Sequence, residues 1–343
     1  MKYLYSFNSF IERHITFVAP TCVLLGVLTS RWFSSYQWLA AYFFTVMAFQ
    51  GSLSSDFSAL KDVGRHPLPV FVVIGFLHLL MPVLGYLLGM IFFHNDMHLV
   101  TGIVIEQIVP AGMMGMTWAE LYGGNMALSL SIMVLDTLVS PFLLPAVLSV
   151  ILGTAVRIPA WPMMRSMILM IVIPSLLALT LNQVTHGKAK ETLRPKLTPF
   201  ARIAMICVMT LNSTKVAPYL LHLKPLYILV LLFMLFIIVF AYFVMFGITI
   251  LMREKVKNAT TMIFSGGIRN ISVGAVLAAR YFPGGAIFPV LVGTLFQQML
   301  AGILGHWFGK VLRERGRKEA RKERQLQEHT AESHRQDPDR AGE

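Results

Sequence analysis

Two glycine-rich stretches interrupt long apolar segments and occupy corresponding places in the two halves of this chain. The first runs from Pro110 to Gly115 and the second from Ser265 to Asn270. Within lipid, a non-helical backbone is tolerated only where it is buried in protein or lines a watery cavity. Paired interruptions at matched positions therefore point to a ligand site in a protein built from inverted repeats.

The composition is that of a helical membrane protein. Of the 343 residues, 56% are hydrophobic and only 13% are charged, whereas soluble domains carry about 25% charged residues. Because a spanning helix needs about 20 mostly apolar residues, the chain is predicted to be an all-α polytopic protein with about ten transmembrane helices. The predicted spans are approximately 15–30, 37–54, 69–93, 98–122, 126–152, 162–182, 199–220, 226–252, 258–282 and 286–311.

Five spans followed by five spans give two inverted repeats, at about 13–153 and 160–312, within a transmembrane transporter domain at 1–312. A long polar loop at 183–198 is the predicted junction. The tail at 313–343 alternates basic and acidic residues and then becomes polar. It is predicted to be a solvated helical extension that continues into disorder. Binding of anionic lipid headgroups by its basic run is the alternative.

The basic residues of the short loops predict the orientation, because cytoplasmic loops carry an excess of Lys and Arg. The basic loops and the tail fall on one side of a ten-span count, so both termini are predicted to be cytoplasmic in a multi-pass protein of the inner (plasma) membrane. These loop residues are Lys61, Arg65, Lys188, Lys190, Arg194, Lys196, Arg253, Lys255 and Lys257.

The sequence indicates neither nucleic-acid binding nor a disulfide or metal site. The net charge of +12 does not indicate nucleic-acid binding, because the basic residues cluster at membrane edges and form no basic domain with interleaved aromatics. Cys22 and Cys207 lie in apolar segments and offer neither a disulfide framework nor metal-ligand spacing. The expected partners are the lipid bilayer and a small solute, and the oligomeric state is left open.

Ionisable residues at membrane depth are costly and usually functional. Here they are His78, Glu106, Asp136 and Arg269. For the two carboxylates and the arginine, a structural buried ion pair is as good an interpretation as direct function. For His78, a neutral side chain bonded to a neighbouring helix is favoured over proton carriage. Glu120 lies near the end of its span and is predicted to be solvated.

The interruptions have their own chemistry. The glycines Gly112, Gly115, Gly266 and Gly267 are expected to supply backbone freedom. Unwinding frees amides that attract an anion at the start of the second half-helix and carbonyls that suit a cation at the end of the first. The methionines at 113, 114 and 116 fit an adaptable apolar lining, although ordinary packing is the favoured interpretation.

Several motifs carry a family resemblance. Residues 110–141 contain Pro-Ala-Gly at 110–112, Gly-Asn-Met-Ala-Leu-Ser at 124–129 and Ser-Pro at 140–141. Gly-Ile-Arg-Asn stands at 267–270 and Met-Pro at 81–82. These stretches resemble the fourth, fifth, ninth and third spans of the bile acid:sodium symporter family, including its bacterial members. The resemblance covers the ten predicted spans and implies a panel domain and a core domain, the latter with two crossed discontinuous helices, spans 4 and 9.

The chain departs from this family at the positions that the resemblance implies for sodium. Sodium-coupled relatives carry Ser-Asn in the first break, where this chain has Gly115 and Met116. A family threonine one turn after Ser129 is replaced by Met133. Methionine offers no oxygen ligand, so these positions favour loss of the family's sodium sites.

The other departures have the same consequence. The ninth-span Glu and Gln ligands become Ser265 and Arg269, and the third-span Gln becomes His78. Arg269 brings a competing positive charge. Only Ser129, Ser265 and Asn270 are left as residual sodium-site positions, so no metal site is assigned.

The resemblance and its departures together predict a secondary active transporter that moves a bile-acid-like or small carboxylate anion by alternating access. Coupling is expected through a proton at Glu106, Asp136 or His78, or by uncoupled exchange, with no other cofactor. The residues expected to bind the anion are Gly112, Met113, Gly115, Gly267, Arg269 and Asn270.

Two alternatives stay open, a sodium-coupled symporter with shifted ligands and a membrane binding or sensory protein that does not transport. An enzyme is not expected, because the chain has no His-Glu-x-x-His motif, no Gly-x-Ser-x-Gly elbow and no Ser-Lys dyad that fits its spans.

Overall fold

A computed structural model describes most of the chain, and each regular element within that part is a helix. The described residues are 11, 15–55, 57–58, 63–64, 67–153, 155–221 and 224–336. The helices, apart from two short ones at Ser30–Phe33 and Ser34–Tyr36, are α1 Ile15–Leu28, α2 Leu39–Ser52, α3 Pro67–Phe93, α4 Met97–Ile108, α5 Met113–Leu121, α6 Met126–Leu152, α7 Ala160–Val184, α8 Lys188–Leu221, α9 Pro225–Leu251, α10 Val256–Gly267, α11 Ile271–Tyr281 and α12 Gly284–Gln336.

Local sequence signals start several of these helices. The Asp96 carboxylate accepts hydrogen bonds from the amides of His98 (3.1 Å) and Leu99 (3.3 Å) at the start of α4. The Asn125 side chain accepts one from the amide of Leu128 (3.2 Å) and starts α6. Such caps satisfy first-turn amides that have no partner inside the helix. The resulting turns separate α3 from α4 and α5 from α6.

The helices have the character of membrane spans. Within the described ranges, α3, α6, α7, α8 and α9 are long and apolar enough to cross a membrane, and a sixth is added if the two arms of α12 count as one span. Large apolar side chains face outward on many of them, as at Val150, Val184 and Leu251. The prediction of an all-α membrane protein is confirmed. The count of ten spans stays a prediction, because α1, α2, α4 and α11 are short.

The interruptions lie where the sequence predicted them. The fourth predicted span is divided between α4 and α5, and the ninth between α10 and α11. Every residue of α4 from Leu99 to Ile108 is buried, and so is every residue of α10 from Ala259 to Gly267. The half-helices that lead into the breaks are thus enclosed by protein, which is the condition for a non-helical backbone at membrane depth.

The predicted polar loop at 183–198 is wrong. α7 ends at Val184 and α8 begins at Lys188, with Gly187 in the left-handed conformation (φ 86°) between them. The segment is an amphipathic helix, because Ala189 is buried and Leu193 and Leu197 pack with it near Leu53. Its lysines lie on the exposed face, so the run of charge belongs to a helix surface and not to a loop.

The C-terminal part of the chain is a long helix. α12 bends by 48° between residues 284–297 and 299–317 and continues to Gln336. The helical extension of the tail therefore reaches Gln336. Residues 337–343, and the loop positions Lys61 and Arg65, lie outside the described residues.

The helices form two packing groups. In the first, α2 packs against α7 and α8, and α1 packs against α8. In the second, α4 lies between α3 and α12, while α10 packs against α5 and α9. The main apolar core lies in the second group, around buried residues such as Ile103, Met262 and Phe288. Both breaks belong to this group.

Candidate functional site

The two breaks pair with each other through their backbones. The amide of Gly112 donates to the carbonyl of Ile268 (2.9 Å), and the amide of Asn270 donates to the carbonyl of Pro110 (2.8 Å). Ala111 and Arg269 form an antiparallel bridge between these bonds. Each break therefore satisfies polar groups of the other, as buried backbone requires.

The glycines of the breaks let neighbouring backbone and side-chain atoms pack closely against them. They do not supply an unusual backbone conformation. Gly112 has φ −83° and ψ 145°, a conformation open to any residue, so the expectation of special backbone freedom is wrong there. A Cβ at Gly112 would stand 2.8 Å from the carbonyl oxygen of Arg269, and one at Gly267 would stand 2.3 Å from the Tyr242 ring. Gly115 and Gly266 lie inside α5 and α10.

Side chains form hydrogen bonds with further backbone amides and carbonyls of the breaks. The Ala111 amide donates to Asp136 Oδ2 (2.6 Å). The Gln297 side chain accepts from the Arg269 amide (3.0 Å) and donates to the Arg269 carbonyl (2.8 Å). The expectation of break amides and carbonyls free for ligands is therefore wrong at these positions. In the first turns of α5 and α11, the Gly115 and Val273 amides bond to the carbonyls of Gly112 and Asn270. The amides of residues 113, 114, 271 and 272, which come earlier in these turns, are the ones left without a partner in the described structure.

A buried polar cluster lies beside the first break. His78 Nε2 is 2.5 Å from Asp136 Oδ1, and Ser140 Oγ is 3.1 Å from the same oxygen. His78, Asp136 and Ser140 are each at most 1% exposed. His78 lies in a π-helical turn of α3 at Phe76–Leu80. The histidine is thus bonded to a neighbouring helix, and the carboxylate joins α3, α6 and the break.

The Arg269 guanidinium turns away from solvent. Its two terminal nitrogens are buried and have no hydrogen-bond partner among the described residues, and Cζ lies 5.6 Å from the centre of the Phe76 ring. Glu106 and, more weakly, Asp136 act on its charge electrostatically. Neither carboxylate is within salt-bridge distance in the described part of the chain. The direct ion pair expected for Arg269 is therefore not formed in this conformation.

Glu106 is also enclosed. It is fully buried, Oε2 accepts from the Gln107 side chain, and Oε1 has no partner in the described structure. Gly293 of α12 faces it so closely that a Cβ there would stand 2.9 Å from Oε1. Glu120, by contrast, is exposed, as the sequence predicted.

A cavity of about 550 Å³ lies between the two packing groups, at the breaks. Of the residues predicted to bind an anion, Gly112, Met113, Arg269 and Asn270 line it, whereas Gly115 and Gly267 do not. Of the residual sodium positions, Asn270 lines it, and Ser129 and Ser265 are buried elsewhere. Within the described ranges, no three His, Cys, Asp or Glu side chains are grouped as a metal site.

The cavity wall is rich in methionine and arginine. The methionines include 113, 114 and 116, so a role of these residues in a lining, beyond ordinary packing, is supported. Arg194 and Arg202 of α8 also line the cavity, and no aspartate or glutamate is among its described lining residues. Sequence reasoning missed Arg202 and Gln297. Each is a polar residue inside an apolar segment. At membrane depth such residues indicate a functional site, so this pattern is the signal that could have found them.

Comparison with known proteins agrees with this architecture. The profile described as the Sodium Bile acid symporter family matches residues 41–223, more than half of the chain. Uncharacterized protein YbaS of Bacillus subtilis (strain 168) is 35% identical over 293 residues, which are 85% of this chain and 96% of that protein. Members of the family are transporters and not enzymes. This chain, a multi-span membrane protein, belongs to the sodium bile acid symporter family.

Proposed function

We propose that this chain is a secondary transporter that moves an organic anion by alternating access. The observation that carries the proposal is the cavity at the paired breaks. First-turn residues of α5 and α11 line it, arginines line it, and no described acidic side chain does. Helix starts attract anions because their first amides are unpaired and the helix dipole is positive there. A carboxylate of the substrate would lie against these amides and Asn270.

The arrangement of two packing groups supports alternating access. The cavity has walls from α1, α2, α7 and α8 on one side and from the breaks, α6 and α12 on the other. We assign the first group to the family's panel and the second to its core. Rocking of one group against the other would open the cavity to each side of the membrane in turn. Ten spans in two inverted repeats, with cytoplasmic termini, belong to this proposal.

Coupling through the family's usual sodium sites is not part of the proposal. Met116 and Met133, which stand where relatives carry oxygen ligands, line the cavity. Arg269 places a permanent positive charge beside the second break, near Glu106 and Asp136. A cation at this position would repel sodium and balance part of the carboxylate charge. We therefore assign Arg269 as an internal replacement for a coupling cation, with its charge behind the cavity wall.

Proton coupling has one specific support. The His78–Asp136 pair combines two titratable groups in a buried site, and the Asp136 carboxylate also accepts from the amide of Ala111 at the first break. A proton on His78 would draw the carboxylate charge towards the imidazolium, and a proton on Asp136 would leave a neutral carboxyl, which is a poorer acceptor than a carboxylate. Either would weaken the bond to the break. Protonation would thus be linked to the geometry of the substrate site.

Flux measurements separate this proposal from its alternatives. Purified protein in proteoliposomes would be supplied with labelled carboxylates under a sodium gradient, a proton gradient or neither. We expect uptake that does not depend on sodium, and acceleration by an inward proton gradient if the His78–Asp136 pair carries the proton. Uptake that needs sodium would favour shifted sodium ligands. Carboxylate binding without any flux would favour a binding or sensory protein.

A further inference from the structure

The cavity has a second cationic region, away from the breaks, on α8. Arg194, Thr198, Arg202, Met205 and Met209 all line the cavity. Their spacing of three or four residues, or multiples of it, places them on one face of the helix. At a rise of about 1.5 Å per residue, Arg194 and Arg202 are about 12 Å apart along the axis. One wall of the cavity thus carries two arginines.

On the α8 side the described cavity lining has basic residues, and no described lining residue is an aspartate or glutamate. Arg194 Nε is buried and has no hydrogen-bond partner among the described residues. Thr198 between the two arginines accepts a hydrogen bond from Gln50 Nε2 (2.9 Å), which ties α8 to α2 and fixes this part of the wall. Arg194 and Arg202 are each half-buried, and a cleft lined by charge of one sign concentrates ions of the opposite sign, so an anion bound here would be favoured.

The wall between this region and the breaks is apolar. Met205 and Met209 of α8 face the same cavity as Met113, Met114 and Met116 of α5. Methionine side chains are flexible and polarisable, and they suit apolar ligands of more than one shape. The cavity therefore offers polar groups at the breaks, an apolar middle and guanidinium groups on α8.

We propose that the substrate is a two-headed anion, with a carboxylate at each end of an apolar body. One carboxylate lies against the starts of α5 and α11, and the second is bound by Arg194 and Arg202. Guanidinium groups bind carboxylates in a two-pronged geometry, so this end selects dianions over monoanions. This inference rests on the proposed function, because it specifies the substrate class of the same cavity.

Binding to purified protein in detergent tests the inference without any variant. The probes are the linear dicarboxylates adipate, suberate, sebacate and dodecanedioate, each compared by calorimetry with the monocarboxylate of equal carbon number. We expect a dicarboxylate of optimal length to bind about tenfold or more tightly than its monocarboxylate, because a hydrogen-bonded charge pair is added. Equal binding of both series at every length overturns the inference and leaves the proposed function standing. Failure of every carboxylate to bind overturns both.

Variants then locate the second carboxylate. Arg194→Gln and Arg202→Gln should each weaken dicarboxylate binding much more than monocarboxylate binding, and so remove most of the preference for the dicarboxylate. Lys196→Gln is the matched control, because it removes one positive charge from an exposed position of the same helix. If the arginine variants keep the full preference, or if Lys196→Gln loses it equally, Arg194 and Arg202 do not bind the second carboxylate. Size-exclusion elution identifies variants that have lost the fold. If a variant has lost the fold, the comparison of dicarboxylates with monocarboxylates on the unaltered protein decides the inference.

Discussion

The carboxylate of Asp136 accepts the amide hydrogen of Ala111 at 2.6 Å, so a buried acid on α6 holds the first break in place. The same carboxylate is paired with His78 on α3. A single side chain therefore joins two long helices to the polypeptide that lines the cavity. The geometry of the break depends on the charge of this group, because both neighbours bond to its oxygens.

Replacement of Asp136 should reveal this dependence. Asp136→Asn keeps the shape of the side chain and removes its charge, so it should cost about 1.5–3 kcal/mol of stability, the range for hydrogen bonds to charged groups. Unfolding in detergent would be followed by circular dichroism. Asp96→Asn is the control, because Asn caps a helix as well as Asp and should change stability by only a few tenths of a kcal/mol. Equal effects of the two variants would contradict the assigned role.

Loss of Arg269 should destabilise the protein by leaving nearby carboxylates uncompensated. Arg269→Gln is expected to cost less than the about 3–5 kcal/mol that removal of one member of a direct buried charge pair costs, because neither the Glu106 nor the Asp136 carboxylate is within salt-bridge distance of Arg269. Because Asp136 is already bonded to His78 and Ala111, Glu106 is the carboxylate left without compensation. The double change with Glu106→Gln should therefore restore part of the stability.

Two measurements complete the test of Arg269. Arg165→Gln, at an exposed position, is the control for loss of one arginine and should leave stability unchanged. The double variant, Arg269→Gln with Glu106→Gln, is expected to regain sodium-dependent flux, since the family resemblance implies a glutamine ligand at position 269 in sodium-coupled relatives. If Arg269→Gln folds and transports like the parent, the arginine is no internal cation.

Sodium should not stabilise the native protein. A ligand that binds only the folded state adds about 2.7 kcal/mol of stability at a hundredfold excess over its Kd. We expect sodium and potassium chloride at equal concentration to give the same melting temperature, since Met116 and Met133 offer no oxygen ligands. A stabilisation of that size that is specific to sodium would show that shifted ligands bind it.

Because the two breaks lie close together, replacement of Gly112 by a residue with a side chain should lower the stability of the protein. The carbonyl of Arg269 would lie 2.8 Å from an added Cβ, so Gly112→Ala should separate the breaks and cost about 1–3 kcal/mol. Gly247→Ala is the matched control inside α9, where no atom lies within 4 Å of the added Cβ. It should be neutral or slightly stabilising, because alanine favours helices. Both would be compared by thermal unfolding.

Topology is tested by reporter fusions. Fusions after Lys196, after Lys257 and within the tail should all report the cytoplasm, because basic residues concentrate on that side. Fusion after Lys61 extends the test to a position outside the described residues. A signal from the opposite side for the tail alone would mean that the number of spans is not ten.

The sequence by itself determined the class of the fold and the positions of the breaks. Hydropathy and the lack of charge are local properties, so they identify helices such as α3, α6 and α9 directly. Glycine-rich stretches inside apolar segments likewise located both breaks. Motifs around Pro110 and Gly267 were sufficient to indicate the family, since they need no knowledge of contacts.

Tertiary structure decided what each break residue does. Pairing of Gly112 with Ile268, bonding of Ala111 to Asp136 and the turn of Arg269 towards Phe76 join residues far apart in sequence. No local pattern specifies such contacts. The α8 segment shows the same limit, because its charged residues suggested a loop until packing around Leu53 revealed a helix. Which polar groups are left for a substrate depends on these long-range bonds, and only the folded chain contains them.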